Sequence, residues 1–292
     1  MPNVAVITDS TTSLPLEMYE QYGITMVPYY IHLQGQTLRD MVDITPQELC
    51  DYMQSLTEKA EFPKTANPGP GDYLQAFLSV ARHTREMVSI HMTSRGSGAY
   101  QAALIAREMA LEKLHHVRIK VIDTSNVSMG HGWIALQAAR AAAAGASLED
   151  ILHLIGKMLP VTRMIQTADT LRYLYMGGRI GRVQHLLGSL LKIKPLISME
   201  NGEIVSLGVA RSRKEAYRKI ATLVQKAIGA DAQARIALTH AAAFEGAQAL
   251  LQAIRQVIVP SEVLFCELSP ALIVHTGPGT VGLCYVPEAA LK

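Results

Sequence analysis

The sequence predicts an α/β fold with two domains: a parallel-sheet N-terminal domain with helices on both faces, then an α+β C-terminal domain. Three observations lead there. Through the first half, short β-branched runs alternate with helical patterns, in the order strand, loop, helix. In the second half, hairpin signals are mixed with helices, which implies antiparallel pairs. The chain has 292 residues, 49% hydrophobic and 18% charged, enough for roughly two domains of about 100–200 residues and too apolar for disorder.

The elements follow in order. Val4–Thr8 is a strand, and Asp9-Ser10-Thr11-Thr12-Ser13 is a run of capping side chains before Leu14-Pro15. Ile24–Leu33 reads as one extended stretch, and Thr45-Pro46-Gln47-Glu48 is a capping box that starts a helix. The prolines and glycines of Lys64–Asp72 predict a loop, with a helix over Tyr73–Arg82. Met87–Met92 is a strand, Thr93–Gly98 a loop and Ala99–Lys113 a helix. Strand Val117–Asp123, loop Thr124–Gly132 and helix Trp133–Ala144 repeat the pattern, and Ser147 caps another helix. The loops Asp9–Ser13, Thr93–Gly98 and Asp123–Gly132 should therefore gather on one edge of a parallel sheet.

The boundary is expected near Leu159–Thr162, giving domains 1–160 and 161–292 unless a domain is discontinuous. Beyond it come a short helix Asp169–Tyr175 and the glycine stop Met176-Gly177-Gly178-Arg179-Ile180-Gly181. Lys194–Met199 and Glu203–Gly208 form a hairpin around Glu200-Asn201-Gly202. Helix Arg213–Ile228, strand Arg235–Thr239, helix Phe244–Val257 and strand Glu262–Leu268 follow. Ile273–Thr276 reads as a strand end before the Gly277-Pro278-Gly279 turn and strand Val281–Val286.

Composition excludes several functions. With 27 basic against 25 acidic residues, the net charge of +2 lacks the excess of a nucleic-acid binder. No segment approaches the roughly 18 consecutive apolar residues of a membrane helix. Met1-Pro2-Asn3 runs straight into a strand, so no signal peptide and a cytoplasmic location are expected. Cys50, Cys266 and Cys284 are too few and too scattered for a disulfide framework or zinc ribbon. No histidine spacing suggests a metal, and none is expected. The 13 Met against 4 Phe and 1 Trp suit either an irregular core or the lining for a flexible apolar guest.

The strongest local signal is Thr93-Ser94-Arg95-Gly96-Ser97-Gly98 before a long helix. It matches neither a Walker loop nor a dinucleotide fingerprint. Gly96 and Gly98 allow close backbone approach, while Ser94 and Ser97 offer hydroxyls, which suit a carboxylate better than a polyphosphate. A plain serine cap explains the loop equally well. Lys64-Thr65-Ala66-Asn67-Pro68 is either a connector or a second hydroxyl-bearing loop. His275, before Thr276-Gly277, is either a structural imidazole or a donor to an anion. His240 is read the same way, more weakly. Arg179 and Arg182, like Arg211, Arg213 and Lys214, form basic clusters that are either solvated or meet a partner.

Taken together, these segments resemble the DegV family of bacterial fatty-acid-binding proteins. The resemblance rests on Thr8-Asp9-Ser10-Thr11, Lys64-Thr65 leading to Pro68, and Ser94-Arg95-Gly96-Ser97-Gly98-Ala99-Tyr100. Val121-Ile122-Asp123-Thr124 with Gly130 and Gly132, Leu171-Arg172 with Gly177-Gly178-Arg179-Ile180, Lys194-Pro195 and His275-Thr276-Gly277-Pro278-Gly279 extend it along the chain. It implies two α/β domains with a long-chain fatty acid in a tunnel between them and no other cofactor. It further implies that Thr65, Ser97 and His275 meet the carboxylate, supported by Ser94, Gly96, Gly98, Asn67 and Gly277. The chain would be a non-catalytic subunit presenting the acid to a separate ATP-dependent fatty-acid kinase, with Arg179 and Arg182 as partner contacts. Where the family usually reads Thr-Ser-Gln-Pro-Ser, this chain has Thr65-Ala66-Asn67-Pro68-Gly69; where it reads Leu-Ser-Gly-Thr, this chain has Gly96-Ser97-Gly98-Ala99. Two other functions fit the residues: an acyl hydrolase with Ser97 as nucleophile and His275 as base, or a phosphotransfer protein phosphorylated on histidine.

Overall fold

The computed structural model describes residues 3–57, 60–184, 193–229 and 232–292; Met1 and Pro2 of the leader reading lie outside them. The strands are β1 (Val4–Asp9), β2 (Thr25–Val27), β3 (Tyr30–Leu33), β4 (Gln36–Arg39), β5 (Lys64–Ala66), β6 (Glu86–His91) and β7 (Arg118–Asp123). They continue as β8 (Arg163–Thr167), β9 (Lys194–Glu200), β10 (Glu203–Ala210), β11 (Ala234–His240), β12 (Glu262–Glu267) and β13 (Val281–Pro287). The helices are α1 (Leu16–Tyr22), α2 (Pro46–Ser55), α3 (Pro70–Val80), α4 (Ala99–Lys113) and α5 (Met129–Ala143). The remaining ones are α6 (Leu148–Met158), α7 (Arg172–Met176), α8 (Arg213–Ile228), α9 (Phe244–Arg255) and α10 (Pro270–Thr276).

The first sheet is parallel, in the order β2-β1-β6-β7. Alternation along its strands feeds two cores, as a period of two requires. Val4, Val6, Val88 and Ile90 pack with α5 and α6, whereas Ile7 and Met87 join the cluster of α3 and α4. The second sheet has the order β10-β9-β8-β13-β11-β12 and is mixed, with only β11 and β12 parallel. One face packs against α8 and α9 through Ile165, Leu196, Ile236, Leu238 and Leu283. The other face contributes Met164, Met199 and Cys284 to the same cluster as α5. Helix α5 therefore lies between two sheets, and it is apolar nearly all round because both sides are buried. A small antiparallel sheet, β4-β3-β5, completes the fold and shares a core with α2 and α10.

Several expectations need correction. Ile24–Leu33 is not one strand: Pro28 carries no N–H, and the chain leaves the parallel sheet after Val27 to enter the antiparallel one at Tyr30. Lys64–Ala66, expected as loop, pairs with β3, and the following helix begins at Pro70 rather than Tyr73. Proline at the first helical position needs no N–H partner, and Asp72 accepts from Gly69 N at 2.8 Å. His275 ends helix α10, not a strand; short apolar runs are ambiguous in sequence, and here a proline opens a helix. The helix expected at Asp169 starts only at Arg172, and strand β8 had no separate signal beside its neighbours.

Candidate functional site

The three loops gather at the carboxyl ends of β1, β6 and β7. Thr93 N donates to Asn126 O at 2.9 Å, Ser94 N to Asp123 Oδ2 at 3.2 Å, and Ser128 Oγ to Ser13 Oγ at 3.4 Å. Thr93 O accepts from Gly96 N and Ser97 N at 3.1 and 3.2 Å, so the glycine loop closes into a tight turn. The turn also binds the second sheet: Thr93 Oγ1 donates to Gly202 O at 2.8 Å, and Arg95 pairs with Glu203 at 2.7 Å. Asn201 and Gly202 both have positive φ, as a two-residue hairpin turn needs. At Gly202 a Cβ would sit 2.6 Å from Thr93 Oγ1, so this contact also requires glycine.

A cavity of about 580 Å³ lies between these loops and the second sheet. One end is polar. Thr65 Oγ1 hydrogen-bonds His275 Nε2 at 2.8 Å, and Ser97 Oγ hydrogen-bonds Tyr29 OH at 2.6 Å. Arg179 also lines it, donating from Nη1 to Gly177 O at 2.8 Å and from Nε towards Gly96 O at 3.4 Å. The rest is largely apolar, with Met92, Met164, Leu174, Ile197, Met199 and Leu272 among its walls. Strand alternation explains the selection: Met164 and Gln166 of β8, and Ile197 and Met199 of β9, face the cavity, while Ile165 belongs to the opposite core.

Burial and the nearby Arg179 guanidinium lower the His275 imidazole to about 4, so it is neutral at pH 7. Its Nδ1 makes no hydrogen bond among the described residues and packs on Gly177, where a Cβ would fall 2.1 Å from that nitrogen. Burial pushes the Tyr29 phenol well above its ordinary value, so it too stays neutral. The polar end thus presents hydroxyls, a neutral imidazole and one guanidinium.

Behind it, one carboxyl ties both pairs to the scaffold. Asp40 Oδ2 accepts from Ser10 Oγ at 2.5 Å, and Ser10 Oγ accepts from Tyr29 N at 3.0 Å. Asp40 Oδ1 accepts from Ala271 N at 3.0 Å, in the first turn of the helix that carries His275. Ser13 Oγ accepts from Ser269 N at 3.2 Å. The free N–H groups at the start of α10 are therefore met by distant side chains. Burial raises Asp40 to about 6, against the hydrogen bonds that hold it down.

Asp9 is also fully buried. It accepts from Thr11 N and from the Thr11 hydroxyl, and lies 3.4 Å from His91 and 3.9 Å from His131. Burial opposes its ionisation, but His131, His91 and Thr11 outweigh that and hold its carboxyl below the ordinary value. Thr11, thus held, lines the cavity.

Of the residues singled out in the sequence, Thr65, Asn67, Gly96, Ser97, Arg179, Arg182 and His275 line the cavity. Ser94 is exposed and turned to Asp123, and Gly98 is exposed with space for a Cβ only 3.0 Å from Asn67 Oδ1. Gly277 is buried against the Tyr173 ring rather than at the cavity wall. His240 lies apart, with its ring against Phe244. Sequence reasoning missed Tyr29, Thr11 and the walls of β8 and β9; for β9, expected as a strand, alternation was a usable signal. Ser97 and His275 face different partners, so the hydrogen bond needed for nucleophilic acyl transfer is not made.

Residues 3–288 match the family described as the DegV family of uncharacterised proteins. The chain belongs to the DegV family. A DegV domain-containing protein of Caldanaerobacter subterraneus subsp. tengcongensis is 32% identical over 286 residues, covering 98% of this chain and 99% of that one. A DegV domain-containing protein of Deinococcus radiodurans is 32% identical over 289 residues, covering 99% and 100%. Among solved structures, a DegV family protein from Thermus thermophilus described for fatty-acid binding superposes with a TM-score of 0.90 at 30% identity, covering 98% of this chain and 100% of that one. A stearic-acid-binding protein from Eubacterium ventriosum gives 0.87 at 26% identity, covering 99% of each. The parallel sheet with its helices and the mixed second sheet are therefore the DegV fold. No helix among the described residues is long and apolar enough to cross a membrane.

Proposed function

We propose that this protein binds a long-chain fatty acid in the 580 Å³ cavity, with the carboxylate at Thr65, Ser97 and His275 and the acyl chain along the Met-rich walls. The observation that carries this reading is a cavity that gathers Thr65, Ser97, Tyr29 and His275 at one end and is lined mainly by apolar side chains beyond them. Each buried methylene contributes about 0.8 kcal/mol, so the tail supplies most of the affinity. A carboxylate leaves water at a high cost unless its oxygens are hydrogen-bonded. The Thr65, Ser97 and Tyr29 hydroxyls and the neutral His275 ring carry the protons for that, and the Arg179 guanidinium adds a favourable charge. Similarity to fatty-acid-binding DegV structures supports the same ligand class.

The protein presents this carboxylate to a separate ATP-dependent kinase and carries out no chemistry itself, as a cytoplasmic binding subunit. The Arg179 and Arg182 side chains at the cavity rim meet that partner. Support comes from the sequence resemblance and the absence of a nucleotide motif. Solvent extraction of gently purified protein, followed by mass spectrometry, is expected to release fatty acid. No released acid, together with no binding of added palmitate or oleate, would overturn the reading. Acyl-phosphate formation on adding ATP and a candidate kinase tests the second step.

A further inference from the structure

A second cavity, of about 860 Å³, adjoins the first and is bounded by residues 124–126, the end of α6, β8 and the far side of the β9–β10 hairpin. Two residues line both cavities: Arg182 and Met199. The Arg182 side chain is 63% exposed, whereas Met199 is only 8% exposed. Met199 is thus the buried side chain standing at the border. It belongs to one apolar cluster with Met164, Val127 and Ile204, and Ile204 is its cross-strand partner. All four line the first cavity, and the polar end groups Thr65, Ser97 and His275 line that cavity alone. The compartment beyond is mixed, with Leu159, Val205, Leu207 and Leu223 offering an alkyl chain apolar contacts among polar neighbours such as Asn126, Arg163 and Glu200.

We propose that Met199 is the stop against which the far end of the acyl chain rests, so that this side chain sets the longest fatty acid the protein accepts. The inference rests on the fatty-acid reading above. Methionine suits the place because an unbranched thioether fills irregular space between flexible neighbours. Shortening it joins the two cavities and gives a longer chain somewhere to go. Enlarging it shortens the first cavity.

The test is competition binding of myristate, palmitate, stearate, arachidate and behenate to delipidated wild type, Met199→Ala, Met199→Phe and Met92→Ala. Met92 lines the first cavity and not the second, so it controls for simple widening. Met199→Ala should move the preferred acid to a longer chain and Met199→Phe to a shorter one, whereas Met92→Ala should weaken all five acids together and leave their order as in wild type. Burying two further methylenes is worth about a 15-fold gain in affinity, which sets the size of the shift expected per step. Met199→Leu keeps the volume and should retain the wild-type order, and Met199→Val replaces alanine if that variant does not fold. An unchanged order in both Met199→Phe and the shortened variant, or an equal shift in Met92→Ala, overturns the stop while leaving the fatty-acid reading intact. Wild type that binds none of the five acids overturns both.

Discussion

Replacing Asp40 by asparagine separates the charge of this buried carboxyl from its hydrogen bonds. In the native protein its acid form persists to about pH 6, against 3.8 when unfolded. A raised carboxyl contributes stability that is complete below the unfolded value and lost as pH rises through the folded one. The penalty for its ionisation grows from about 1 kcal/mol at pH 4.5 to about 3 kcal/mol above pH 6.5. Asparagine can still accept from Ala271 N and face Ser10, but it carries no charge. Asp40→Asn should therefore be more stable than wild type at pH 7, and the advantage should shrink by about 2 kcal/mol at pH 4.5. Asp40→Ala strands two buried donors, Ser10 Oγ–H and Ala271 N–H, and should lie about 2–6 kcal/mol below asparagine at both pH values. Urea denaturation of the three proteins at the two pH values measures this. An asparagine variant less stable than wild type at pH 7, or a wild-type-to-asparagine difference independent of pH, would refute the electrostatic account. If asparagine and alanine are equally stable, the hydrogen-bond account fails instead.

Gly177→Ala should fold and yet bind fatty acid much more weakly, because its Cβ would fall 2.1 Å from His275 Nδ1 and displace the ring; affinity within twofold of wild type counts against that placement. Thr65→Val removes the partner of His275 Nε2 while keeping the side-chain shape, so affinity for palmitate should drop about tenfold for a lost bond to a charged ligand. Unaltered affinity in isothermal titration would remove Thr65 from the head-group set. Acidification from pH 6 to 4 should destabilise the protein. His131 and His275 are both lowered to about 4 from 6.5, and so gain protons on unfolding, whereas Asp40 loses one. These three groups together give a net uptake of about one proton and a slope of about 1.4 kcal/mol per pH unit, and His240, also lowered by burial, adds to it. Below that range Asp9, held down in the fold, adds to the loss. Thermal midpoints that stay level from pH 6 to 4 would contradict the assignment.

Much of the fold was legible because it rests on local chemistry. The Thr45 capping box, the Asn201-Gly202 turn and the helices at Ala99 and Arg213 follow from side chains within a few residues of each other. Thr65, Ser97 and His275 were legible as a set through family resemblance; singly, each loop had an ordinary structural explanation. Tyr29 carried no signal, because its importance comes from a hydroxyl 68 positions away. Asp40 was equally silent, since it acts on Ser10 and Ala271, 30 and 231 positions distant.

By itself the sequence determined the alternation of strands and helices, the apolar and nearly neutral character of the chain, and the hydroxyl-bearing loops. These depend on backbone preferences and periodicity, which neighbouring residues set. Tertiary structure decided that His275 ends a helix, because Ser13 and Asp40 satisfy that helix's first N–H groups from elsewhere in the chain. It also decided which methionines are core and which are cavity wall. A methionine is equally suited to both, and only the meeting of the loops with the second sheet leaves a space for Met164 and Met199 to line.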